Sequence, residues 1–98
     1  MKIVNWPEFA ALPPGTIFSA YEEAICRGLY RKEDTILIDG TPRDFVFASL
    51  VPNCWNGDAP TVDITDTARW AEFNYDQRFV VFEPADVAML KRMLESAS

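Results

Sequence analysis

The sequence predicts an α+β fold: a small curved antiparallel sheet of about four or five strands, with a short N-terminal helix and a C-terminal helix packed on it. Three observations lead there. Both ends carry helix-start chemistry, an Asn5/Glu8 pair and a proline at Pro84. Between them lie β-branched and aromatic runs such as Phe45-Val46-Phe47 and Phe79-Val80-Val81-Phe82. Turn-forming residues punctuate those runs, with no internal repeat and no low-complexity stretch. The 98 residues, nearly half of them apolar, make one domain (1–98) that closes a single core without staples.

Asn5 is placed to cap the first helix, with Glu8 completing a capping box and Val4 and Phe9 at the staple positions. Pro7 is harmless in the first turn, and Pro13-Pro14-Gly15 ends the helix, giving residues 6–12. Residues 16–21 read as the first strand, Glu22-Glu23-Ala24 as a turn and residues 25–31 as a second strand with a bulge or tight approach at Gly28. Lys32-Glu33-Asp34 reads as a charged turn before a short strand at 35–38, and Asp39-Gly40 as a hairpin turn. Residues 44–51 form a strand with apolar residues on both parities.

Residues 52–60 carry loop chemistry. Residues 66–73 allow two readings: a short helix capped by Asp66, or a short strand ending at a turn over Asn74-Tyr75-Asp76. Residues 77–82 form a strand. Pro84 then opens the last helix at N1, with Asp86 in its first turn and Lys91-Arg92 near its end, both favourable to the macrodipole. Val87, Leu90, Met93 and Leu94 make its apolar stripe.

Charge is the feature that speaks to partners. Asp58, Asp63, Asp66, Glu72 and Asp76 stand against Arg69 alone, so this stretch holds −4 of the chain's −6. An acidic chain is repelled by nucleic acid and anionic membranes, so neither is an expected partner. A basic protein fits. Trp55, beside the acidic stretch, is the candidate interface anchor; a tryptophan folded back on the core is the structural alternative. A solvated loop is the structural alternative for the acids.

Catalytic apparatus is sparse. Without a single histidine, Ser or Cys nucleophiles lack their usual base, and no catalytic residue is assigned. The acids lack calcium-loop spacing, so neither a metal nor a cofactor is expected. Paired carboxylates leave a hydrolase reading as the weakest functional one. Arg27, Arg31 and Lys32 around Tyr30 look like a miniature nucleic-acid footprint, but three charges give little affinity, and a basic, protected edge strand is the structural reading. Cys26 and Cys54 read as reduced, partly buried thiols. No apolar run reaches membrane-helix length and no signal-peptide pattern opens the chain, so a cytoplasmic location is the expectation.

Asn5-Trp6-Pro7-Glu8-Phe9, Leu12-Pro13-Pro14-Gly15-Thr16-Ile17-Phe18 and Tyr21-Glu22, with Phe79-Val80-Val81-Phe82-Glu83 and Asp86-Val87, resemble small phage and prophage accessory proteins. The resemblance covers the two ends and not the acidic middle. It implies a mobile-element accessory protein in a bacterial host, similar to inhibitors of host defence such as anti-CRISPR proteins. The function expected is therefore a non-enzymatic protein–protein interaction domain presenting residues 55–76 to a basic host protein or nucleoprotein complex, as a monomer or homodimer. The alternative is a self-assembling structural domain.

Overall fold

The computed structural model describes residues 1–51, 65–67 and 77–97, the stretch 65–67 through its backbone. Its elements are β1 (Lys2–Val4), α1 (Trp6–Ala10), β2 (Ile17–Glu22), β3 (Ile25–Ile38), β4 (Thr41–Ser49), β5 (Thr65–Thr67), β6 (Arg78–Val81) and α2 (Pro84–Glu95). One antiparallel sheet runs in the order β1-β6-β2-β3-β4-β5. Four longer strands form its centre, and a three-residue strand lies at either edge.

The N-terminus is built as its residues dictate. Asn5 is extended and accepts from the Glu8 amide at 3.1 Å, while the Asn5 amide donates to Glu8 Oε1 at 3.4 Å. The helix stops at Ala10, earlier than residue 12, because Pro13-Pro14 lies ahead and Ala11 already serves as C-cap. Residues 2–4 pair with β6, a strand too short to announce itself by periodicity.

α1 exists to bring two aromatics onto the sheet. Phe9 is wholly buried and stacks on Phe79 with centroids 3.9 Å apart. It meets Phe18 and Phe45 edge-on at 4.7 and 5.0 Å. Trp6 closes this cluster over Phe45 and Phe79. Burying one such ring stabilises the fold by about 1.5–3 kcal/mol, and five aromatics on one face dominate so small a core.

The expected pair of strands at 25–31 and 35–38 is one strand of 14 residues. Lys32-Glu33-Asp34 is not a turn. Lys32 pairs with Phe47 and Thr35 with Phe45, so two residues of β3, Glu33 and Asp34, face one of β4, Val46, in a bulge. A charged triplet can stay in the strand because the Lys32 ammonium finds acceptors inside the fold. Another bulge, between β2 and β3, is where the sequence put it. Phe18 pairs with Tyr30 and Ala20 with Arg27, with Gly28 at φ +72° between them. Ser19 Oγ fastens the bulge by donating to Gly28 O at 2.6 Å.

α2 opens on Pro84, and the Glu83 amide donates to Asp86 Oδ2 at 2.9 Å. Val87 and Leu90 are its half-buried apolar residues. Met89, Met93 and Leu94 remain exposed. Among the described residues no helix is long and apolar enough to cross a membrane.

Candidate interaction surface

In the chain, the acidic stretch falls between β4 and β6. β4 ends at Ser49 and β6 begins at Arg78, both at the sheet end that carries the Glu23–Ala24 turn. Between them the described backbone is β5, which pairs with β4 by Ala48↔Thr65, Phe47↔Asp66 and Val46↔Thr67. Asp66 therefore lies in an edge strand. Of the two readings for residues 66–73, the strand holds at Asp66 and the helix cap does not, while 68–73 lie outside the described residues. Threonines on both sides favour extended backbone, and the open edge of β4 supplies the partner that a cap would lack. An aspartate in an edge strand also discourages pairing with another chain. Trp55, Asp58, Asp63, Glu72 and Asp76 lie outside the described residues, as does Cys54.

The basic footprint around Tyr30 does not form. β3 lies between β2 and β4 and is no edge. Tyr30 packs its ring on Phe18 and Phe47, with centroids 5.3 Å away in each case. Arg31 is paired with Glu33 at 3.1 Å. Lys32 is fully buried. Its ammonium donates to Leu12 O at 3.0 Å, Glu33 O at 3.1 Å and Thr35 Oγ1 at 2.8 Å, and sits 5.8 Å from the Phe9 ring centre. Burial pushes its pKa below the ordinary lysine value, and the charges of Asp34 and Glu33 oppose that only in part.

Cys26 is free and exposed, not partly buried, because it sits near the hairpin end of β3, beyond the aromatic cluster. It borders a shallow depression of about 410 Å³ with Ile3, Tyr21 and Val80. A larger groove of about 660 Å³ lies between the loop at Leu12–Thr16 and α2, with Val81 and Phe82 below. Lys2 and Lys91 line it. Neither lysine is in an ion pair among the described residues.

Two features of this surface escape a reading by motif. One is that groove, which requires the Pro13-Pro14 corner and α2 to meet in space. The other is the β3–β4 hairpin, which runs past the start of β2 and exposes Leu37 and Ile38 at 60% and 52%. Two large apolar residues placed directly against the Asp39-Gly40 turn were the available signal for the second.

Together these observations define a small α+β protein with one sheet, an aromatic core on one face, and an acidic segment joined to the sheet at β4, β5 and β6. No protein-family profile, curated protein or solved structure matches the chain.

Proposed function

We propose that the protein is a non-enzymatic interaction domain that offers residues 55–76 to a basic protein or nucleoprotein complex. The observation that carries this reading is the concentration of charge: five acids against one base in 58–76, leaving −2 for the rest of the chain. Within the segment, Asp66 sits in β5, paired with β4 opposite Phe47. Complementary charge accelerates encounter and makes it salt-dependent. The resemblance of the chain ends to phage accessory proteins supports the biological setting: the cytoplasm of a bacterial host, with a host defence complex as target in the manner of an anti-CRISPR protein.

The test is affinity capture from bacterial lysate at low and high salt. The bait is the natural chain or a variant with Asp63→Asn, Asp66→Asn, Glu72→Gln and Asp76→Asn. The natural chain should retain a basic partner at low salt and release it at high salt, and the variant should lose it. Equal capture by both ends the proposal.

A further inference from the structure

The geometry points to a second binding function: the β3–β4 hairpin tip of one copy docks in the groove beside α2 of a second copy. The two surfaces complement each other in polarity and charge.

The hairpin is a wedge. Thr35 and Phe45 anchor its base, Phe45 beneath Trp6 and Thr35 through its hydroxyl bond to Ala10 O at 2.9 Å. Beyond them, among the described residues, the two strands pair only with each other, as Ile36↔Asp44, Leu37↔Pro42 and Ile38↔Thr41. Adjacent strand residues face opposite ways, so Leu37 covers one side of the tip and Ile38 the other. A flat partner would bury one of them; a groove buries both. Asp39 stands at the apex with φ +53° and forms no ion pair among the described residues.

The groove is the counterpart. Leu12, Pro13, Val87 and Ala88 give it apolar walls, and Lys2 and Lys91, in no ion pair among the described residues, line it. Its volume of about 660 Å³ falls within the range of about 300–1,000 Å³ that accommodates compact ligand groups. The tip brings two apolar side chains and one anion; the groove offers apolar walls and two cations. Glu83, the groove's own acid, is engaged by the Met1 amino group at 3.2 Å and leaves the lysines to an incoming carboxylate.

Arm and groove lie at the same end of the sheet. Gly15 and Thr16 of the groove are hydrogen-bonded to Lys32, just before the arm departs. A two-fold axis at that end lets each copy place its arm in the other's groove, a closed and self-complementary contact. Two small contacts make a weak dimer, so association belongs in the micromolar range.

Sedimentation over a concentration series tests this with an arm variant, Leu37→Thr/Ile38→Thr, and a groove variant, Ala88→Glu/Lys91→Glu. Threonine keeps the strand propensity, all four sites are exposed or line the groove, and circular dichroism checks the fold. The natural chain should dimerise with concentration, and less readily at high salt. Each variant alone should bind itself about tenfold more weakly or worse. An equal mixture should associate better than either alone, because one intact arm still meets one intact groove. A natural chain that is monomeric throughout overturns the inference. So does a variant that dimerises undiminished, which would assign self-association to another surface such as Met93 and Leu94 of α2. A mixture no better than its components overturns it too.

Discussion

Lys32 Nζ donates to Thr35 Oγ1 at 2.8 Å, and that same hydroxyl donates onward to Ala10 O at 2.9 Å. With Lys32 Nζ also on Leu12 O at 3.0 Å, this pair on β3 satisfies carbonyls at the end of α1. A helix of five residues cut short by two prolines cannot satisfy them itself. The ammonium has three donors and finds three acceptors, none of them a carboxylate, which is what allows the lysine to be fully buried.

Thr35→Val keeps shape and removes this link. It leaves one Lys32 N–H without an acceptor and Ala10 O without its donor, at a cost of about 1–3 kcal/mol. Lys32→Met should cost a similar amount by stranding Leu12 O. The two effects should fall short of additivity in the double variant, since both remove one network. Urea denaturation of the four proteins measures this, and full additivity would mean that the two residues act separately.

The pH dependence of Lys32 has a definite sign. Desolvation holds its folded pKa below the ordinary 10.5, so between those two values the unfolded chain binds more protons than the folded one. Stability from this group therefore rises with pH through that window and is lowest below it, where the charged form must be buried. The difference in stability between the natural protein and Lys32→Met should shift in favour of the natural protein as pH climbs from neutral towards 10.5. Denaturation midpoints across that range, read as a difference, report it. A flat difference would show that burial does not penalise the charge.

These residues also show how far the sequence could be read. The capping box at Asn5, the Asp39-Gly40 turn and the Gly28 bulge rest on local chemistry, a side chain or φ requirement within a few residues, and each stands in the structure. Lys32-Glu33-Asp34 was misread because its reason is remote: the acceptor at Leu12 is 20 residues away. The Glu23–Ala24 turn was located but not its geometry. Both residues have positive φ, 51° and 64°, with neither Asn nor Gly to favour it, so the pairing of the flanking strands imposes the turn. The acids of 58–76 were visible as charge, yet their spacing alone could not place Asp66 in a strand opposite Phe47.

Asp86 joins three elements of charge and backbone. It accepts from the Glu83 amide at the start of α2 and from the Met1 amino group at 2.6 Å. Those bonds hold its carboxyl below the usual 3.8, while Asp86 and Glu83 raise the amino group above 8.0. The aspartate's contribution is present above 3.8 and lost as pH falls through its folded pKa. The amino group's contribution is present below 8.0 and lost as pH rises through its own. Asp86→Asn should thus destabilise most between those values, with the gap narrowing towards either extreme. Thermal melts of both proteins across the acid and mild alkaline range check it. Both groups are solvent-exposed, so added salt should narrow the gap as well.

Gly28 and Gly40 separate two costs that glycine can hide. Both have positive φ, 72° and 76°, so alanine at either site meets the left-handed penalty of about 1–2 kcal/mol. At Gly40 the added Cβ meets no atom within 4 Å. At Gly28 it would lie 2.5 Å from Cε2 and Cζ of Tyr30. That ring is held between Phe18 and Phe47 and cannot swing aside without leaving the aromatic cluster. Overpacking adds about 1–3 kcal/mol, so Gly28→Ala should be the costlier change by that margin. Gly28→Ala combined with Tyr30→Leu should recover part of the added cost, because the clash is with the ring and the backbone strain remains. Equal losses at the two glycines would place the whole effect in the backbone and remove Tyr30 from the account of why the bulge needs glycine.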